Sequence, residues 1–169
     1  MEQIHFIITG GTIDSYYEGT KDTAVTNKES IIPEFISSLK LFVDCTFSTV
    51  CMKDSREIDE NDLRKMLETL EQSPNTRNVL THGTYTMPDT ARYLKANLQR
   101  KDQTIILTGS MIPIKGFAPS DGPFNLGFAI SEVQHLPPGV YIAMNGRIFD
   151  ADEATKIISE GRFVSLFNR

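Results

Sequence analysis

Hydroxyl residues and glycines recur together along this chain, each time just after a short apolar run. The sequence has Thr9-Gly10-Gly11-Thr12, Thr81-His82-Gly83-Thr84, Thr108-Gly109-Ser110 and Asn145-Gly146 in such positions. Glycine lets a backbone approach a ligand closely and offers amide N–H groups to developing negative charge. Threonine offers a hydrogen bond or, beside a base, a nucleophile. One such segment reads as a tight turn or a phosphate cradle. Four of them on one rim of a sheet make a chemical site the better reading. A nucleotide site has little support: Thr9-Gly10-Gly11-Thr12 has no following Gly-Lys-Ser/Thr and does not complete Gly-x-Gly-x-x-Gly.

The elements that must carry these segments follow from the hydrophobic pattern. The apolar runs at 4–8, 78–81, 104–107 and 140–144, with a fifth at 41–50, predict strands buried on both faces. Between them, apolar residues spaced three and four apart predict helices over 30–39, 59–70, 88–98 and 121–133. Asp59 or Asn61 can cap the second, and Pro88 and Pro123 suit first turns. A last helix is expected over 152–160, and a mobile loop over 19–28, rich in Thr, Lys and Asp. Alternating strands and helices predict a single α/β domain, a doubly wound and mainly parallel sheet with helices on both faces, Rossmann- or flavodoxin-like. Ligands of such sheets bind at the carboxyl ends of the strands, where the glycines and hydroxyls lie.

Composition narrows the partners. Hydrophobic residues make up 40% and charged residues 23%, ordinary for a globular domain, and the net charge of -5 argues against nucleic acid and anionic membranes. No apolar stretch nears the ~20 residues a bilayer span needs, and no signal peptide is evident. Cys45 and Cys51, six residues apart on one predicted strand, sit roughly 20 Å apart, too far for a disulfide. They read as reduced thiols of a cytoplasmic protein.

Taken in order, the motifs resemble the L-asparaginase family. They are Thr9–Ile13 (TGGTI), Lys53-Asp54-Ser55, His82-Gly83-Thr84-x-Thr86-Met87, Leu107-Thr108-Gly109-Ser110-Met111, Ser120-Asp121-Gly122-Pro123-Phe124-Asn125-Leu126, and Met144-Asn145-Gly146 ahead of Ala154-Thr155-Lys156. The resemblance spans nearly the whole chain. It implies an N-terminal catalytic-type domain over 1–169, with the family's C-terminal domain absent.

By that resemblance the chain is an amidohydrolase that needs no cofactor or metal. It would convert the side-chain amide of L-asparagine, or a related small amide, to acid and ammonia. Thr12 matches the nucleophile, and Thr84 with Lys156 matches the threonine and lysine that activate it. Burial beside hydroxyls is what would lower a lysine pKa enough for a base. Tyr17, with Tyr16 beside it, matches the tyrosine that orients the nucleophile. Ser55 and Arg56 align with the α-carboxylate site, Ser110 with a backbone contact to the substrate amide, and Gly83 with the backbone donors. Tyr85 stands where the family carries an aspartate that meets the α-ammonium, leaving Glu57 or Asp14 to compensate. The resemblance also implies a homo-oligomer, dimer or tetramer. A rival reading is a catalytically impaired ligand-binding or interaction module on the same scaffold. His82 and Asp121 are expected to hold backbone rather than to exchange protons.

Overall fold

The apolar runs form the central sheet of the computed structural model, which describes residues 3–167. The chain starts with β1 (Gln3–Gly10), then a hairpin of β2 (Ser15–Glu18) and β3 (Thr23–Thr26). Next come α1 (Ile32–Ser38), β4 (Asp44–Lys53), α2 (Glu60–Gln72) and β5 (Arg77–Thr81). They lead to α3 (Met87–Asn97), β6 (Thr104–Thr108), α4 (Gly122–Glu132) and β7 (Gly139–Met144). The chain continues with β8 (Arg147–Asp150), β9 (Ala154–Ile157) and β10 (Arg162–Ser165). The main sheet runs β4-β1-β5-β6-β7-β8; all its pairs are parallel except β7 with β8.

Each central strand feeds two cores. Along β1, Ile4, Phe6 and Ile8 face one core and Ile7 the other; Val79 and Leu80 of β5 divide the same way. The period-2 alternation of a pleated strand requires this, and both faces must then be apolar. Helices α2 and α3 cover one face through Met66, Leu70, Met87, Ala91 and Leu94. Helices α1 and α4 cover the other through Ile32, Ile36, Leu126, Ala129 and Val133. Burying each large side chain stabilises the fold by about 1.5–3 kcal/mol before entropy is subtracted. α2 starts at a reciprocal cap: Asp62 N–H donates to the Asp59 carboxylate, and Asp59 N–H to that of Asp62. Such a cap is worth about 1 kcal/mol.

The crossovers differ in hand. The β4-to-β5 and β5-to-β6 connections move the same way across the sheet with their helices on one face. The β1-to-β4 connection moves the opposite way with its helix on the opposite face, which gives the same hand. The β6-to-β7 connection moves the same way as β5-to-β6, yet α4 lies on the α1 face. Its hand is therefore reversed. Since ~98% of such units are right-handed, β6-α4-β7 is the left-handed exception. The long connection between β6 and α4 gives the chain room to cross. Asp121 anchors it by accepting from the N–H groups of Met111 and Ile112, so this carboxylate holds backbone as expected.

Three local expectations are corrected. Residues 152–160 are not a helix: β9 and a 3-10 turn, Ile158–Glu160, occupy them, with β9 paired antiparallel to β10. The β-branched Thr155 and Ile157 suit a strand, and the partner that decides it comes later in the chain, at Phe163 and Val164. Residues 19–28, expected as a mobile loop, include β3, which pairs with β2. The strand expected at 41–50 begins and ends three residues later. Cys45 and Cys51 are free thiols, and burial pushes the Cys51 thiol up to about 11.

Candidate active site

At the carboxyl ends of β1, β4 and β5 lies a cleft of about 200 Å³. The chain leaves β1 towards β4 on one side and later returns as β5 on the other, so this is the switch point of the sheet. The exit of β1 contributes Gly11 and Thr12; that of β4 contributes Asp54, Ser55 and Arg56. The exit of β5 adds Gly83, Thr84 and Tyr85, and β9 supplies Lys156.

Lys156 Nζ donates to Thr84 Oγ1 at 2.7 Å. Desolvation by burial, reinforced by the positive charge of Arg56, lowers the Lys156 pKa. Once the amine loses its proton the same contact can reverse, with the Thr84 hydroxyl donating to Nζ. Thr12 sits in a 3-10 turn whose carbonyl accepts from the Ser15 hydroxyl at 2.7 Å. Among the described residues the Thr12 hydroxyl has no hydrogen-bond partner, so it is free to meet a ligand.

Close backbone packing brings these hydroxyls to one cleft. Gly11 has φ +79°, and a Cβ there would lie 2.4 Å from the Gly83 nitrogen. Only glycine meets both conditions. The Gly11 N–H donates to the Lys53 carbonyl, whereas the Gly83 N–H has no acceptor among the described residues. Gly83 is thus the better placed of the two to stabilise an oxyanion. His82, fully buried, holds this peptide: its Nδ1–H donates to the Gly83 carbonyl at 2.7 Å, and its Nε2 accepts from the Thr90 hydroxyl at 2.9 Å. Burial pushes His82 down to about 4, so the ring stays neutral and this tautomer is fixed.

The same lining holds an ion pair against a ring. Arg56 donates from Nε to Asp54 Oδ1 at 2.9 Å and from Nη2 to Oδ2 at 2.7 Å. Its guanidinium lies 5.7 Å from the centroid of the Tyr85 ring. Ser55 is buried, with Oγ accepting from Thr86 N–H at 3.3 Å and its carbonyl accepting from the Thr86 hydroxyl at 2.9 Å.

Of the residues singled out in the sequence, Thr12, Ser55, Arg56, Gly83, Thr84, Tyr85 and Lys156 line this cleft. Tyr17 and Ser110 do not. Tyr17 is half exposed on the hairpin and donates to Asp22, which raises its pKa. Tyr16 lies beside it, 39% exposed. Ser110 is buried, with its hydroxyl donating to the Ile112 carbonyl at 2.6 Å. Neither candidate to replace the missing acid lines the cleft. Buried Asp14 accepts from Asn27 and from Ile31 N–H, and Glu57 is exposed. Asp54 is the cleft residue that had no assigned role in the sequence, although its motif was visible. Thr108 and Asn145 tie strands instead: the Thr108 hydroxyl donates to the Ala143 carbonyl, and Asn145 accepts from Phe163 N–H.

An open α/β sheet whose switch point holds a hydroxyl–amine pair, a second free hydroxyl and an unpaired N–H has the equipment of an acyl-transfer hydrolase. The family model described as Asparaginase, N-terminal, matches residues 3–164, and the chain belongs to that family. It is 27% identical over 166 residues to L-asparaginase 2 of Escherichia coli, covering 92% of this chain and 47% of that protein. It is 37% identical over 101 residues to the glutaminase-asparaginase of Acinetobacter glutaminasificans, covering 57% of this chain and 30% of that protein. The chain thus spans less than half the length of these relatives. The solved thermostable L-asparaginase from Thermococcus kodakarensis superposes with a TM-score of 0.80 at 25% identity, over 96% of this chain and 51% of that one. A probable cytoplasmic L-asparaginase from Campylobacter jejuni gives 0.83 at 24% identity, over 98% and 53%, a likeness of fold. No helix among the described residues is long and apolar enough to cross a membrane.

Proposed function

We propose that the chain is an amidohydrolase acting on the side-chain amide of L-asparagine or a related small amide, through a threonine acyl-enzyme. The observation that carries this reading is the 2.7 Å contact of Lys156 with Thr84 in the cleft that Thr12 also lines. The Thr12 hydroxyl attacks the amide carbonyl and gives up its proton through Thr84 to neutral Lys156. Ammonia leaves with that proton, and water then cleaves the Thr12 ester to release the acid and restore the hydroxyl. The Gly83 N–H steadies the oxyanion; one such donor contributes about 3 kcal/mol. Tyr17 keeps its hydroxyl on Asp22 in this conformation and belongs to the hairpin flanking the cleft.

The test is ammonia release by the purified 169-residue chain from L-asparagine, D-asparagine and L-glutamine, with mass spectrometry of the quenched enzyme. An acyl adduct on the peptide holding Thr12 supports the assignment. An adduct on Thr84 exchanges the two hydroxyl roles, and no ammonia from any small amide refutes the reading. Activity of a cytoplasmic homo-oligomer, dimer or tetramer, is part of the same proposal. Light scattering on the active preparation checks the assembly.

A further inference from the structure

The charges around the cleft discriminate between small amides. An amino-acid amide at neutral pH brings a carboxylate and an ammonium together, and an ammonium gives up its hydration most readily where an anion or an aromatic face replaces it. Among the residues lining the cleft Asp54 is the only carboxylate. Both of its oxygens already accept from Arg56, and Oδ1 also takes the Arg56 N–H at 2.9 Å. The aromatic face on offer, Tyr85, already carries the Arg56 guanidinium. Arg56 and Lys156 are two basic groups against that one acid, and an ammonium docked here meets Arg56.

Carboxylate recognition has no such obstacle. Arg56 Nη1 and the Ser55 hydroxyl proton have no acceptors among the described residues. They belong to adjacent residues of the cleft lining and offer two donors to one carboxylate. We infer that the preferred substrate is the monoamide of a short dicarboxylic acid with one carboxylate and no α-ammonium, an inference that rests on the amidohydrolase reading above. For the four-carbon case, succinamate and water give succinate and ammonia: the C–N bond breaks, a C–O bond forms, and nothing is oxidised.

The experiment has two arms, both on the full chain at pH 7. In the first, kcat/KM is measured for succinamate and L-asparagine; in the second, succinate and L-aspartate are titrated calorimetrically. Succinamate is expected to exceed L-asparagine at least tenfold, and succinate to bind at least tenfold tighter than L-aspartate. Tyr85→Asp, which returns an anion to the cleft, is expected to shift both ratios at least tenfold towards the amino acid. Arg56→Gln is expected to weaken succinate at least tenfold, with folding checked by circular dichroism. L-Aspartate binding as tightly as succinate, L-asparagine turned over as well as succinamate, or neither acid binding overturns the inference. Preferential succinate binding without ammonia from any amide removes the hydrolytic reading and leaves this recognition standing.

Discussion

Replacing Lys156 by methionine keeps the length of the side chain and removes its ability to carry a proton at any pH. Two effects follow from the 2.7 Å contact with Thr84. On activity, the variant loses the base that takes the hydroxyl proton. General-base catalysis contributes about 10²–10⁴-fold, a barrier increase of about 3–5 kcal/mol. On stability, one hydrogen bond worth about 1 kcal/mol is lost, while a partly buried ammonium no longer has to be desolvated. The two oppose each other, so the net change stays within about 1 kcal/mol, a Tm shift of no more than about 4 °C for a chain of this size.

The assay is ammonia release against pH, beside a thermal melt. Because burial and Arg56 lower the Lys156 pKa, the basic form that accepts the proton appears below the ordinary lysine range. Wild-type kcat/KM is expected to rise with pH through that lowered value. The same shift acts on stability. Between the lowered value and the ordinary one the unfolded chain binds more protons, so stability rises with pH across that window. In the methionine variant both trends disappear. A variant that keeps more than a tenth of wild-type activity with the same pH limb refutes the assignment of Lys156 as base. A Tm loss far beyond 4 °C would make Lys156 a structural residue.

Three further outcomes are expected. Gly11→Ala places a Cβ 2.4 Å from the Gly83 nitrogen at φ +79°; activity is expected to vanish and urea denaturation to register a loss of about 2–4 kcal/mol. His82, held near 4 when folded and near 6.5 when unfolded, binds fewer protons folded than unfolded between those values. Its contribution is therefore lost as pH falls from about 6.5 to about 4, by about 3 kcal/mol in all. His5, also lowered by burial, acts in the same direction. In His82→Asn, which keeps a donor for the Gly83 carbonyl, the stability gap to wild type is expected to narrow by about 2–3 kcal/mol between pH 7 and pH 4.5; a constant gap contradicts the buried neutral ring. Tyr17→Phe removes a hydroxyl bonded to Asp22, and kcat/KM is expected to fall less than threefold; a hundredfold loss shows instead that the hairpin carries Tyr17 into the cleft during turnover.

The central strands and the helices packed on them were legible because they are buried on both faces or on one stripe, and burial writes a local apolar period. Val79 and Leu80, or Met66 and Leu70, announce their environments without reference to distant partners. The strand bearing Lys156 was not legible. Ala154–Ile157 is short, acidic residues precede it, and its strand character comes from pairing with Arg162–Ser165. The same holds for the hairpin, where Tyr16 pairs with Val25 and Tyr17 with Ala24. Residue identity in the motifs picked out seven residues that line one cleft. Identity could not tell which hydroxyls face a ligand and which tie strands, because that depends on neighbours across the sheet, as with Thr108 and the Ala143 carbonyl.

The placement of Lys156 shows how the sheet's irregularity bears on the cleft. Through the left-handed β6-α4-β7 unit the chain reaches β7 with α4 on the α1 face, so the α2–α3 face beside β7 is left to other elements. Phe149, Ala154 and Phe163 fill it, packed in the core that includes Met87, Ala91 and Leu94. Arg92 of α3 clamps this segment by donating to the Ala154 carbonyl at 2.8 Å, and Lys95 pairs with Asp150 and Asp152. Ala154 is two residues from Lys156 on the same strand, so a right-handed crossover would have put α4 where the support of β9 now stands. The reach of the amine to Thr84 therefore depends on packing of α3 against β9, and Ala154→Leu, by overfilling that contact, is expected to lower activity more than ten times while Thr12 and Thr84 stay unchanged in sequence. A crystal structure of that variant with the Lys156–Thr84 distance still at 2.7 Å, beside a large activity loss, would break the link between the crossover and the site.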